Sequence, residues 1–82
     1  MHDTSKAEIM EYLSHNILYL RKKHNLSKEE MAKIMCVGIK TLNKLEQRIL
    51  PPRLSLKPLF RIKDYFGIPL QIQVSIKIVD DI

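Results

Sequence analysis

The stretch "EEMAKIMCVGIKTLNKLEQR", Glu29 to Arg48, decides the fold of this chain. It consists of two short amphipathic segments separated by the three residues Cys36 to Gly38. In the second segment, Leu42, Leu45 and Ile49 recur at the spacing of one helix edge, so we expect them to point into a core. The residues that face the other way are Lys40, Asn43, Lys44 and Gln47. The pattern predicts a helix that buries a narrow apolar seam and exposes a polar, basic face.

A complete helix start precedes the first segment. Ser27 is a favoured N-cap residue, and Glu30 three residues later completes a capping box. These signals predict a helix over residues 28–35. The second helix is then predicted from Ile39 to Gln47 or Arg48. Asn25, just before the cap, can adopt the left-handed conformation that ends an earlier helix.

Two further helices flank this pair. The first is predicted over residues 5–24, because Glu8 follows Ser5 at capping-box spacing and apolar residues then recur at helical spacing. The second is predicted over residues 56–66, with Ser55 as its cap. Gly67 is expected to end this helix, since glycine readily takes the left-handed conformation.

The segment from Leu70 to Ile78 alternates strictly between apolar and polar residues, which predicts a β-strand. A lone strand would expose unpaired backbone groups, so we expect the same strand of a second copy to pair with it antiparallel. The predicted fold is therefore mainly α, with a four- to five-helix domain (residues 1–69) and a C-terminal dimerisation strand (residues 70–82). The apolar residues expected at the homodimer contact are Leu70, Ile72, Val74, Ile76 and Ile78.

Composition limits the classes of function. The 82 residues are 45% hydrophobic and 28% charged, which is the balance of a globular domain. The apolar runs are far shorter than a bilayer requires, so we expect a soluble, cytoplasmic protein with no membrane partner. One cysteine and three scattered histidines give no metal-ligand spacing. No catalytic nucleophile, paired carboxylate or phosphate loop is recognisable, so we expect no enzyme activity, cofactor or small-molecule ligand.

The positive charge is concentrated in the middle of the chain. Residues 21–63 contain twelve Lys or Arg against three Glu, a local excess of nine positive charges, whereas the two flanks together carry an excess of four negative charges. A protein that binds a phosphate backbone has this distribution, because its affinity comes largely from counterion release. The alternative is a basic face that contacts only solvent.

Lys40, Lys44 and Arg48 are predicted to lie on one stripe of the second helix. Like charges four residues apart destabilise a helix by about 0.2 to 0.5 kcal/mol per pair unless anions approach them. A DNA duplex supplies such anions. Two helices joined by a short turn, the second with a basic face, form the helix-turn-helix, whose second helix fits a major groove. An ordinary helical hairpin with a lysine-rich solvent face is the alternative.

The sequence from Ile17 to Pro69 resembles the phage repressor and Cro-like (XRE-type) helix-turn-helix family. The resemblance depends on "LRKKHNLSKEEMAKIMCVGIKTLNKLEQ" followed by "PPRLSLKPLFRIKDYFGIP". The family usually has glycine, valine and serine in the turn, where this chain has Cys36-Val37-Gly38. Cys36 is therefore expected to take a positive φ at a cost of about 1 kcal/mol. Its side chain is expected to be a small packing residue, with redox sensing as the alternative.

The resemblance implies roles for individual residues. The positions at which family members read base edges are Ile39, Lys40 and Lys44. Asn43 lies close to them, Lys28 falls where phosphate is bound, and Arg53 falls near the DNA backbone and minor groove. The family joins the positions of Arg21 and Glu46 in a buried ion bridge. The complete set of residues expected to bind DNA is Lys28, Gly38, Ile39, Lys40, Thr41, Asn43, Lys44, Gln47, Arg48 and Arg53.

Two functions from different classes fit these patterns. The favoured one is a sequence-specific transcription regulator, a repressor, that binds double-stranded DNA as a homodimer. The alternative is an antitoxin or anti-repressor that acts mainly through contact with another protein. Affinity for DNA that falls steeply with salt would distinguish them, because only the first hypothesis requires phosphate contacts.

Overall fold

Five helices make up the described part of the chain. The computed structural model describes residues 6–51 and 55–79. The helices are α1, Lys6–Lys23; α2, Lys28–Met35; α3, Ile39–Glu46; α4, Lys57–Phe66; and α5, Leu70–Gln73. The prediction of a mainly helical fold is confirmed, but residues 6–51 and 55–79 contain no β-strand.

The helices surround one apolar cluster. α3 packs against α1 and α2, α2 also packs against α4, and α5 packs against α1 and α4. The buried apolar side chains are Met10, Leu13, Ile17, Leu20, Met31, Ala32, Met35, Leu42, Leu45, Leu59 and Ile62. Because burial of apolar surface is the main favourable contribution to folding, this cluster determines which face of each helix stays outside.

The turn between α1 and α2 has the predicted chemistry. Asn25 is left-handed, with φ 54°. The Glu30 amide donates to Ser27 Oγ at 3.1 Å, and the Ser27 amide donates to Glu30 Oε1 at 2.8 Å, so the predicted capping box is confirmed. The hydrogen bond from the Ser27 amide lowers the pKa of the Glu30 carboxyl most, because it favours the charged form. The hydrogen bond with the Ser27 side chain lowers this pKa further.

The turn between α2 and α3 is left-handed at Cys36, with φ 57°, as expected. The Val37 amide donates to Ala32 O at 3.0 Å and closes the end of α2. Gly38 is the N-cap of α3 and makes no side-chain cap bond. The expectation that Cys36 is a small packing residue is wrong, because its side chain is exposed.

α3 ends at Glu46, slightly earlier than predicted. Arg48 is left-handed, with φ 64°, and the Ile49 amide donates to Lys44 O at 2.8 Å. Ile49 is 47% exposed, so the prediction that it extends the buried seam is wrong. Helical spacing no longer applies there, because the chain has already left the helix.

α4 begins at Lys57, one residue later than predicted, and has Pro58 in its first turn. The N-cap is Leu56, without a side-chain cap bond, so the prediction of Ser55 as the cap is wrong, although the Ser55 hydroxyl accepts a hydrogen bond from the Lys57 amide at 3.3 Å. Gly67 ends the helix with φ 73°, and its amide donates to Lys63 O at 2.8 Å. This is the left-handed conformation that favours glycine, so the predicted end of the helix is confirmed.

The prediction of a β-strand from Leu70 to Ile78 is wrong. Residues 70–73 form α5, and Gln73, expected on the polar face of the strand, is completely buried. Gln73 Nε2 donates to Leu59 O at 3.0 Å and to Ile68 O at 2.9 Å. Both donors of the Gln73 amide nitrogen are thus paired, but the buried Oε1 has no hydrogen-bond partner in the described part of the chain, so the burial that breaks the alternating pattern is only partly compensated.

Asn16 of α1 binds the backbone of the C-terminal segment. Its Nδ2 donates to Gln73 O at 2.8 Å and to Ile76 O at 2.7 Å. Its Oδ1 accepts a hydrogen bond from the Ile78 amide at 2.7 Å. These bonds satisfy backbone groups within the same chain, so the reason for expecting a second copy to pair with them disappears.

The apolar residues of the expected dimer contact lie against their own helices instead. Leu70 and Val74 pack on the apolar cluster, and Ile72 and Ile78 are half-buried. Ile76 is 50% exposed. Pairing of two C-terminal strands therefore has no support over residues 70–79.

Candidate nucleic-acid interface

α3 is attached to the rest of the protein along one edge. Leu42 and Leu45 are fully buried. The buried hydroxyl of Ser14, on α1, donates a hydrogen bond to Leu45 O. The opposite side of α3 faces away from the core, and we call Lys40, Asn43 and Lys44 on that side, together with Gln47 at the C-cap, the outward face.

Arg21 and Glu46 join α1 to the last turn of α3. Arg21 Nε donates to Glu46 Oε2 at 2.8 Å, and Arg21 Nη2 donates to Glu46 Oε1 at 3.3 Å. The two side chains are 17% and 8% exposed, so the pair is shielded from water. The structure thus brings together the two residues for which the resemblance implies an ion bridge. Two parallel bonds restrict how α3 can tilt against α1.

The residues expected to bind DNA lie mainly along and beside the outward face. Those that are exposed are Lys28, Gly38, Ile39, Lys40, Lys44, Gln47 and Arg48. Thr41 and Asn43 are half-buried at the edge of the face. Ile39 is 37% exposed, so part of its side chain is available to a partner. Arg53 lies outside the described residues.

Lys28 and Asn43 are joined by a hydrogen bond that sequence reasoning missed. Lys28 Nζ, at the first residue of α2, donates to Asn43 Oδ1 on the outward face of α3 at 2.8 Å. The two residues are fifteen positions apart, so their proximity depends on the angle between the helices. The bond connects the expected phosphate contact to the expected base-reading face.

Arg48 departs from the stripe of cations that the sequence predicts. Its left-handed φ turns the chain, and Arg48 Nη1 lies 3.8 Å from Glu11 Oε1 on α1. Lys77 Nζ approaches the other oxygen of Glu11 at 3.6 Å. Exposed ion pairs of this length contribute little to stability, so Arg48 can exchange Glu11 for another anion at low cost.

Each helix of the pair has a lysine in its first turn. Lys28 is the first residue of α2, and Lys40 is the second residue of α3, whose first turn has no acid. The N-terminal end of a helix is positive and favours anions, so each lysine opposes the local preference by a few tenths of a kcal/mol up to about 1 kcal/mol. Local conflicts of this kind are typical of functional surfaces.

Other classes of site were sought in the described ranges. Residues 6–51 and 55–79 contain no group of His, Cys, Asp and Glu that could hold a metal ion. Over the same ranges, no helix is long and apolar enough to cross a membrane. A cavity of about 410 Å³ lies between α1, α4 and α5, and its lining is apolar except for Ser55 and Gln71.

Comparison with known proteins identifies one family. A family model described as Helix-turn-helix matches residues 17–73, which include all of α2, α3, α4 and α5 and the end of α1. No curated protein and no solved structure matches the chain significantly.

Proposed function

Since the chain belongs to the helix-turn-helix family of DNA-binding transcription regulators, we propose that it binds a specific duplex sequence by inserting α3 into the major groove. The observation that carries the proposal is the position of Lys40 and Lys44 on the outward face, one helical turn apart. An α-helix with its side chains is about 10 to 12 Å across, a diameter that suits a major groove about 12 Å wide.

The residues have different roles in this proposal. Lys40 and Lys44 donate to guanine O6 and N7, and Ile39 contacts a thymine methyl group. Thr41, Asn43 and Gln47 offer hydrogen bonds to base edges, whereas Gly38 lets the DNA backbone approach the start of α3. The residues that contact phosphate are Lys28, Arg48 and Arg53. The exposure of Lys40 and Lys44 supports their contact with guanine. The local excess of positive charge supports the phosphate contacts.

We propose that two copies bind side by side on the DNA. A helix of about 12 Å covers only about four base pairs, which is too short a sequence to be distinctive in a genome. Two copies related by a two-fold axis would read half-sites about 34 Å apart. Repression is the direction of regulation that we propose, because a protein that fills the major groove excludes others from the same sequence.

Selection of bound duplexes from a random pool tests the proposal. We expect an enriched palindromic sequence, and an affinity whose logarithm falls linearly with the logarithm of salt concentration by about 0.9 per phosphate contacted. Lys40→Ala combined with Lys44→Ala should abolish the enrichment. Lys57→Ala combined with Lys63→Ala, which removes two charges from the exposed side of α4, is the matched control and should preserve it.

Failure to enrich any sequence, together with weak salt dependence, would contradict DNA binding. An enriched sequence without two-fold symmetry would contradict the homodimer alone. Repression is tested separately, by placing the enriched sequence across a promoter and measuring transcript with and without the protein. The antitoxin or anti-repressor alternative is not favoured by the family match.

A further inference from the structure

We propose that Lys28 is a positioning residue that makes Asn43 select guanine over adenine at one step of the bound sequence. This inference rests on the proposed function, because it assumes that the outward face of α3 meets base edges. It gives Lys28 a role beyond phosphate contact.

The contact that carries the inference is the hydrogen bond from Lys28 Nζ to Asn43 Oδ1 at 2.8 Å. An asparagine amide has its oxygen and its nitrogen on opposite sides of one planar group. When the oxygen faces the ammonium, Nδ2 is turned to the other side as a hydrogen-bond donor. Asn43 is also half-buried, which restricts the rotation of its side chain.

The purines differ in what they require from such an amide. Adenine presents the N7 acceptor and the N6 amino donor, so asparagine reads it with both Nδ2 and Oδ1. Guanine presents two acceptors, N7 and O6, and requires donors only. An Asn43 whose oxygen is occupied offers a donor, and the neighbouring Lys28 ammonium, which keeps two further N–H groups, offers more. The pair therefore matches guanine and opposes the amino group of adenine.

The position of Lys28 is consistent with a role at the interface. Its charge lies at the first residue of α2, where the helix dipole disfavours a cation. The neighbouring residues Glu29 and Glu30 are the acids that this position favours. A lysine here is thus not explained by the stability of α2, whereas its bond across to α3 gives it a role at the interface.

Base preference, rather than affinity, is the quantity to measure. The base pair that Asn43 contacts is identified first, as the step of the selected sequence at which the Asn43→Ala variant no longer prefers one base. At that step the ratio of the dissociation constants for adenine and guanine duplexes is compared between the wild type, Lys28→Met and Lys28→Arg. Lys33→Met, which removes a charge from an exposed position of the same helix, is the control.

The wild type is expected to prefer guanine at this step. Lys28→Met should lower the guanine preference by roughly fivefold or more, because the freed Oδ1 can then accept from the adenine amino group. Lys28→Arg keeps a donor for Oδ1 and should retain the preference. Lys33→Met should leave it unchanged. Thermal unfolding of each variant separates loss of fold from loss of preference.

Three results would overturn the inference. They are a wild-type preference for adenine at the step, an unchanged ratio in Lys28→Met despite weaker binding, and equal effects of Lys28→Met and Lys33→Met on the ratio. If the wild type enriches no sequence, the proposed function fails, and the inference fails with it. If the wild type selects a sequence but Lys28→Met leaves the ratio of the adenine and guanine dissociation constants unchanged, only the positioning role is contradicted.

Discussion

Arg21 and Glu46 form a two-bond ion pair between α1 and the last turn of α3, with Nε and Oε2 2.8 Å apart. The pair is largely shielded from water, so each charge depends on the other for solvation. Since α3 is anchored along one narrow edge, this contact sets the angle at which the outward face is presented.

Removal of one partner of this pair should be strongly destabilising. Arg21→Met leaves the Glu46 carboxylate shielded and without its cation, and we expect a loss of about 3 kcal/mol in the free energy of unfolding, measured by urea denaturation. The double variant Arg21→Met with Glu46→Leu should lose much less than the sum of the single changes. Additive losses would show that the two residues act independently.

Asn16 should be critical for the C-terminal segment. Asn16→Ala leaves the backbone carbonyls of Gln73 and Ile76 and the amide of Ile78 without their partner. We expect a loss of about 2 to 4 kcal/mol and faster hydrogen exchange at the Ile78 amide than in the wild type. Gln71→Ala, at an exposed position of α5, is the control. Unchanged exchange at Ile78 would contradict the attachment.

The capping box makes stability depend on pH. Because the pKa of Glu30 is lower in the folded protein, its contribution is present above the pKa of the unfolded chain and is lost as pH falls through the folded value. The difference in unfolding free energy between the wild type and Glu30→Ala should therefore be largest near neutral pH and should shrink in acid. Glu29→Ala, which keeps the box, controls for loss of a charge. A pH-independent difference between the wild type and Glu30→Ala would contradict this prediction.

Replacement of Cys36 by glycine should stabilise the protein. Cys36 is left-handed at φ 57° and exposed, so glycine removes backbone strain and loses little packing. We expect a gain of up to about 1 kcal/mol, which corresponds to a rise of several degrees in the midpoint of thermal unfolding. Cys36→Ala keeps the strain and should show no such rise. Equal midpoints for the glycine and alanine variants would argue against strain.

Lys44 should contribute to sequence preference more than to stability. Lys44→Ala should weaken binding to the selected sequence by about 1 to 3 kcal/mol and relax the preference at one base step. Fluorescence titration against single-base variants of the duplex measures both effects. Selectivity equal to that of the wild type would remove Lys44 from the base-reading set.

Local signals predict the helical part of this fold well. The capping box at Ser27 and the left-handed residues Asn25 and Cys36 depend on a few neighbouring residues, so their chemistry is visible in the sequence. Ile49 is mispredicted because helical spacing was extended beyond the predicted end of α3, where the left-handed Arg48 turns the chain although arginine, unlike glycine or asparagine, does not favour that conformation.

Contacts between distant residues explain the remaining differences. The alternating pattern around Gln73 is typical of a strand, but its side chain is bonded within the core and its carbonyl to Asn16, 57 positions earlier. The bond between Lys28 and Asn43 likewise depends on the angle between two helices. The residues in these contacts carry no local sequence signal of their partners, because each polar group can bond to water in the unfolded chain.

The attachment of the C-terminal segment to Asn16 has a consequence for synthesis on the ribosome. The α2–α3 pair is held together by residues close in sequence, so it can assemble soon after it emerges. Asn16 belongs to the first helix made, yet its bonding partners extend to Ile78. Until residues 73–78 have been translated, the side-chain amide of Asn16 lacks these hydrogen-bond partners, and the core beside it is incomplete. The nascent chain therefore passes through a stage in which α1 to α4 have been made but the side of the core that α5 covers, between α1 and α4, is still open to water.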